Sequence, residues 1–290
     1  MRIQTYTIVA GSEVCNARCP FCVARMTPTF DVGTKLPPVN WRNFKLGCRF
    51  AKDNGVSTVL ITGKGEPTLY PDQISTFLRE LQPFGFPFIE LQSNGIMIAK
   101  QRVTAAQLRE WYDLGLSVVA LSVVHWQSER NREIYQPDAA AYYDLAELIR
   151  QLHGIGFSVR LSCTMLKGYV DSPAQLQELI DFARTHKVEQ LTVRSVDKPR
   201  EAADPGVAEY VERHAVPVQT IQAMREWLDA RGTRLMELVH GAIVYDQRGQ
   251  NVCLANCLTI DPGDERIRQL IFFPDGHLRY DWQYGGAILL

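Results

Sequence analysis

Six short β-rich runs alternate with amphipathic helical patterns over the first 232 residues, and this rhythm constrains the fold more than any other feature. The runs are residues 3–10, 57–62, 87–92, 117–124, 157–165 and 189–195. They are rich in Val, Ile, Leu and Phe, as expected of parallel strands buried on both faces. Between them Ile74, Phe77, Leu78 and Leu81 repeat at helical spacing, as do Leu145, Leu148, Ile149 and Leu152, and again Leu176, Leu179, Ile180 and Ala183. Thr104 with Gln107, and Ser172 with Gln175, have the capping-box pattern. Gly55, Gly115, Gly156 and Gly232 stand where helices should stop. Repeated βα units require a parallel sheet with right-handed crossovers. Six units are too few for a closed eight-unit barrel, so the expected fold is α/β, a partial (β/α)6 TIM-like barrel. Beyond Gly232 the pattern changes. Residues 235–245 and 268–280 read as strands, with turn signals at Asp246-Gln-Arg-Gly249 and Pro274-Asp-Gly276. Residues 1–232 are therefore read as the barrel and 233–290 as a small C-terminal appendage containing a β-hairpin. Residues 201–216 read as an irregular insertion.

Composition narrows the function. With 31 Lys and Arg against 32 Asp and Glu the net charge is −1, which lacks the basic footprint of a duplex nucleic-acid binder. The most apolar run, 116–124, contains Ser117 and Ser122 and falls far short of a membrane span. The opening residues read as a strand and not as a signal peptide. A cytoplasmic chain with neither membrane nor nucleic acid as partner is expected. Seven cysteines, three of them within eight residues, favour metal binding in a reducing compartment over disulfides.

Those three form Cys15-Asn-Ala-Arg-Cys19-Pro-Phe-Cys22, directly after the first predicted strand. Loops after barrel strands gather at the face where active sites sit. A closed zinc site needs four ligands, and none follows nearby. A cubane iron–sulfur cluster normally takes four Cys, so three leave one iron with an open position for chemistry. The competing reading is a zinc knuckle completed by Cys48 or His125.

The CxxxCxxC spacing, with Phe21 before the last Cys, resembles the signature of the radical S-adenosylmethionine (radical SAM) superfamily. The likeness extends over most of residues 3–196, in the pattern of the branch that holds the molybdopterin-precursor cyclase and the SPASM/twitch proteins. Thr62-Gly63-Lys64-Gly65-Glu66-Pro67 resembles the family's GGEP loop, which binds the amino group of SAM; Lys64 departs from the common pattern. Gln92-Ser93-Asn94-Gly95 resembles its TNG-type strand end. Ser122 matches a strand-end serine near the SAM ribose or carboxylate, although relatives often carry SLD where this chain has Ser-Val-Val-His125. The stretch 161–171 resembles a strand that reaches towards the SAM adenosine. Ser162 and Thr164 share one face of it and Cys163 takes the other. Arg194 ends the sixth strand and can bind an anionic group of SAM or substrate.

The resemblance implies a [4Fe–4S] cluster on Cys15, Cys19 and Cys22 and SAM as second cofactor, held by Phe21, Gly63, Lys64, Gly65, Glu66, Pro67, Ser93, Asn94, Ser122, Thr164 and Arg194. The reduced cluster would cleave SAM to a 5′-deoxyadenosyl radical that abstracts hydrogen from a small-molecule or peptide substrate. The electron would come from a donor such as flavodoxin or ferredoxin. Catalytic candidates are His125 and Cys163, and His240 is a further candidate lining residue. Cys253 and Cys257 are candidate ligands of an auxiliary cluster, because relatives carry one in this region; buried free thiols are the competing reading. With Cys15 so near the start, a separate peptide-binding domain ahead of it is not expected, and no cobalamin domain fits. The reading from another class is a zinc- or iron–sulfur-stabilised binding or regulatory protein on a catalytically degenerate scaffold.

Overall fold

A computed structural model describes residues 3–137, 142–238, 241–256 and 267–290. Its strands are β1 (Ile3–Val9), β2 (Thr58–Thr62), β3 (Phe88–Ser93), β4 (Val118–Val123), β5 (Ser158–Met165), β6 (Gln190–Ser195), β7 (Thr233–Glu237), β8 (Ile243–Gln247), β9 (Gln250–Asn256), β10 (Ile267–Phe272) and β11 (Leu278–Arg279). They form one sheet in the order β11-β10-β1-β2-β3-β4-β5-β6-β9-β8-β7. β1 to β6 are parallel neighbours in chain order, the partial barrel expected from six βα units. β10 pairs parallel with β1, and β9 pairs parallel with β6. Residues after Gly232 therefore supply strands to the barrel sheet on both sides. Antiparallel β11, and antiparallel β8 and β7, then finish the two edges.

The helices form where the apolar spacing places them. Ile74, Phe77, Leu78 and Leu81 are buried, and so are Leu145, Leu148, Ile149, Leu152, Leu176, Leu179, Ile180 and Ala183. Thr104 and Gln107 close a reciprocal capping box. The Ser172 hydroxyl accepts the Gln175 N–H at 3.3 Å.

Three expectations are corrected. Residues 201–216 contain a helix, Pro205–His214, because Asp204 caps the N–H groups of Gly206 and Val207 and Pro205 takes the first turn. Residues 235–245 are not one strand. Leu238 and Ala242 face each other across a turn containing Gly241, whose φ of 77° is left-handed, and the chain folds back into β8. The barrel strands are also not apolar on both faces. β5 reads Ser-Val-Arg-Leu-Ser-Cys-Thr-Met, and every second residue is fully buried against the helices while the polar set faces inward. The apolar core is thus a layer between sheet and helices, and the barrel interior is a polar cavity.

Candidate active site

The cysteine loop leaves the end of β1 and is stitched to the loop after β2. The Ala10 N–H donates to the Thr62 carbonyl at 2.7 Å, and the Glu66 N–H to the Val14 carbonyl at 3.0 Å. A side chain at Gly65 would place its Cβ 2.1 Å from the Val14 oxygen, so only glycine allows this approach. The Ser12 and Tyr70 hydroxyls, 2.6 Å apart, tie the same loop to the chain after β2. Past the cysteines the Arg18 N–H donates to the Tyr135 carbonyl at 2.8 Å. Phe21 is buried edge-on against the Tyr135 ring, with centroids 6.1 Å apart. Its place is a wedge beneath the loop, not the cavity wall. Cys22 then precedes a short helix, Val23–Met26.

The three thiols share one locale. Burial, the Glu66 charge and the Cys22 thiol push the Cys15 thiol up to about 12. Burial, with Cys22 and Cys15 beside it, also raises the Cys19 thiol well above its ordinary range. Such a trio holds its protons in water and gives them up to a cationic metal group. Among the described residues no three His, Cys, Asp or Glu side chains surround a single point closely enough for one ion. Three thiols on one loop would leave a fourth coordination position open, a donor set that suits a cluster with one iron free for chemistry.

Glu66 locks the second half of the rim. It is 3% exposed, and its Oε1 accepts the Thr68 N–H at 3.0 Å, the Thr68 hydroxyl and the Ser93 hydroxyl at 2.7 Å. Its Oε2 accepts the Asn94 N–H at 2.9 Å. Burial holds its carboxyl above the usual carboxylate range, with the donors from Asn94, Thr68 and Ser93 opposing that rise. Glu66 is therefore mostly occupied by its own chain, with Oε2 the freer oxygen. Pro67 starts the turn Pro67–Leu69 that carries Thr68. Asn94 joins this network to the cysteines: its Nδ2 lies 2.7 Å from Asn16 Oδ1 and 3.9 Å from Cys15 Sγ. Asn16 Nδ2 is buried beside them with no partner. Tyr143 supports the junction by donating its hydroxyl to the Asn94 carbonyl at 2.8 Å.

Below this rim lies a cavity of about 500 Å³. Gly63, Lys64, Ser122, Thr164, Arg194 and Cys253 all line it. Lys64, 5% exposed, donates to the Thr27 hydroxyl at 2.7 Å and carbonyl at 3.1 Å. Burial lowers its ammonium to about 8, the nearby Cys22 and Glu13 opposing the fall.

Two catalytic candidates lie elsewhere. Cys163 is fully buried in the layer between β5 and the helices, one position out of phase with the cavity face. His125 is 5% exposed and does not line the cavity. Its Nδ1 accepts the Gln127 N–H at 3.1 Å, its ring stacks on Trp126 at 3.7 Å, and burial drops its pKa to about 4. Its ring is thus held by Gln127 and Trp126, outside the lining of the cavity. Cys257 and His240 lie outside the described residues. Sequence reasoning passed over Arg160, Arg268, Thr27 and Tyr143. Arg160 sits two residues before Ser162 and so on the same strand face, which was a readable signal. Arg268 reaches the cavity only through the β1–β10 pairing, which nothing local announces.

Residues 9–183 match the family model of the Radical SAM superfamily. A GTP 3′,8-cyclase of Helicobacter pylori (strain J99) is 30% identical over 191 residues, which cover 65% of this chain and 54% of that protein. Molybdenum cofactor biosynthesis protein 1 of Bos taurus is 25% identical over 201 residues, covering 68% of this chain and 29% of that one. The chain spans about half the length, or less, of the curated relatives it matches. Among solved structures, Streptococcus suis SuiB bound to S-adenosylmethionine superposes with a TM-score of 0.58 at 17% identity, covering 95% of this chain and 58% of that one. A radical SAM methyltransferase from Sphaerobacter thermophilus gives 0.56 at 18% identity over 86% and 66%. These two likenesses show the fold, and the family match over more than half of the sequence shows the lineage: the chain belongs to the radical SAM superfamily.

Proposed function

We propose that this chain is a radical SAM enzyme whose barrel cavity admits a small molecule or a short peptide segment. The observation that carries the reading is the junction at Asn94, where the Glu66 network meets Cys15 and Asn16. As a member of its superfamily the chain uses a [4Fe–4S] cluster and SAM. When bound, they supply one-electron cleavage of the SAM sulfonium and abstraction of a hydrogen atom from substrate.

The protein contributes position and shelter. Cys15, Cys19 and Cys22 would hold the cluster at the rim. Asn16 Nδ2 and the backbone around Gly63 and Lys64 offer polar groups to SAM, and Ser122, Thr164 and Arg194 offer more from the cavity wall. Glu66, through Ser93 and Asn94, fixes the distance between the two strand ends. Trp282 and Leu238 line the same cavity from the C-terminal residues and shield it from water. A one-electron donor such as flavodoxin or ferredoxin and a cytoplasmic setting suit this chemistry; among the described residues no helix is long and apolar enough to cross a membrane. The Helicobacter pylori relative is named for GTP. Partial coverage of those proteins leaves the substrate here to be read from the cavity itself.

The test is anaerobic reconstitution with iron and sulfide, addition of dithionite and SAM, and detection of 5′-deoxyadenosine by mass spectrometry. Formation of 5′-deoxyadenosine is the expected result. A protein that takes up zinc in place of iron and leaves SAM intact would instead be a binding protein on a degenerate scaffold.

A further inference from the structure

The cations that line the cavity already have partners or a role. Lys64 is held by Thr27. Arg160 is ion-paired to Glu90, and Gln92 Nε2 donates to the same carboxylate oxygen at 3.1 Å. Arg268 is engaged within the chain. Arg194 stands in register with Thr164 near the rim ends of β6 and β5, where the SAM reading uses both. Among the described residues no carboxylate lines the cavity, so an ammonium group on a substrate would find no counter-charge there.

One layer further from the rim the lining is uncharged. Ser122, Ser162, Thr192 and Cys253 stand in register across β4, β5, β6 and β9, and all four line the cavity. Ser122 is assigned to SAM; the other three take no part in that reading. Thr192 is 7% exposed, and neither its hydroxyl nor that of Ser162 has a hydrogen bond among the described residues. Two residues before Ser162, and so on the same face, Arg160 keeps a buried Nε with no partner, its charge offset by Glu90. Arg160 and Cys253 lie close enough for each to feel the other's charge. Burial raises the Cys253 thiol above its ordinary range, the arginines opposing, so it stands in the row as a neutral S–H. Neighbouring strands lie about 4.8 Å apart, which spaces these groups evenly along one wall. A hydroxyl both donates and accepts, and a buried one left unpaired is costly. Carboxylates only accept and ammonium groups only donate, whereas the hydroxyls of a polyol do both at every position. Trp282 is the one aromatic side chain of the lining among the described residues, and it offers a ring to the C–H face of such a molecule.

On the reading that the cavity receives the substrate, we propose that Ser162, Thr192 and Cys253, with Arg160 Nε beside them, form a subsite for an uncharged polyhydroxylated molecule, a sugar or polyol. SAM takes part of the cavity of about 500 Å³, and the remainder suits one small ring better than a peptide chain. The hydroxyl row holds one edge of that ring and leaves the opposite edge towards the rim.

The test uses the cluster-loaded full chain with SAM and no reductant, at fixed ionic strength. D-ribose, D-glucose and myo-inositol are the probes. Malonate, cadaverine and the neutral peptide mimic N-acetylglycinamide are the controls. Alkylation of Cys253 by iodoacetamide, followed by peptide mass mapping, reports occupancy of the subsite. At least one polyol is expected to slow alkylation about tenfold or more at saturation, and the controls to leave it within about twofold. Ser162→Ala and Thr192→Val should each weaken that polyol by about three- to tenfold, the loss of one neutral hydrogen bond, and Thr192→Ser should restore most of it. The proposal is overturned by a Cys253 that never reacts, by protection from none of the polyols, by equal protection from a control, or by protection unchanged in both variants. Dithionite is then added to the same samples and 5′-deoxyadenosine is measured. Protection without SAM cleavage would retain the subsite and remove the radical reading, and cleavage without protection would do the reverse.

Discussion

The carboxylate of Glu66 accepts the hydroxyl of Ser93 across the gap between β2 and β3, at 2.7 Å. With the Asn94 N–H on its other oxygen, this one side chain sets the spacing of two strand ends. Glu66→Gln must turn an amide N–H against either that N–H or the donors of Thr68 and Ser93. A buried clash of this kind costs about 1–3 kcal/mol. The variant should fall by that amount in urea denaturation, keep its iron, and bind SAM more weakly. Wild-type stability in that variant would mean that the network relaxes without cost.

Cys19→Ala should abolish cluster loading and all SAM cleavage while leaving a folded chain, because the core between sheet and helices does not involve that loop. Cys253→Ala should leave the iron content at about four per chain, the count for one cubane on the three rim cysteines. A drop in iron in Cys253→Ala, or about eight irons in the wild type, would assign Cys253 to an auxiliary cluster. Iron analysis with circular dichroism on the three proteins decides between these outcomes.

Much of the architecture could be read from the chain because it is written locally. The helix faces followed apolar spacing, and the β5 alternation Ser-Val-Arg-Leu-Ser-Cys-Thr-Met already assigned Ser162 and Thr164 to one face and Cys163 to the other. The cysteine loop, the Gly63–Pro67 loop and Ser93-Asn94 follow three successive strands of one parallel sheet, so their convergence followed from topology. What stayed hidden depends on contacts between distant segments. That β9 and β10 complete the sheet on opposite sides is set by non-local pairing, and with it came Arg268 and the surroundings of Cys253. His125 followed a strand that ends at the active rim, yet it does not line the cavity, and the Asn131 side chain accepts the Val124 and His125 N–H groups instead. The helix Pro205–His214 had its signal in Asp204-Pro205, outweighed by the weak apolar periodicity around it.

Lys64 puts an ammonium at the cysteine loop, and Thr27 holds it there at 2.7 Å. A fixed cation favours the more negative, reduced form of a nearby cluster. Lys64→Met should therefore shift the cluster's midpoint potential downward, by an amount of the order of tens of millivolts, with little change in iron content. Redox titration followed by electron paramagnetic resonance measures this directly. An unchanged potential would show that the ammonium acts only as a tether for Thr27.

His125 should make the fold sensitive to acid. Burial lowers its pKa to about 4 from the ordinary 6.5, so the unfolded chain takes up a proton on this ring before the folded chain does. Its contribution is fully present above pH 6.5 and is lost as the pH falls through 4. Between pH 7 and pH 5 this ring alone should remove about 2 kcal/mol of stability. His125→Asn keeps an acceptor for the Gln127 N–H and does not titrate. Urea denaturation of both proteins at pH 7 and pH 5 should show the wild type losing about 2 kcal/mol more than His125→Asn. Parallel losses in the two proteins would place the acid sensitivity on other groups and leave His125 solvated in both states.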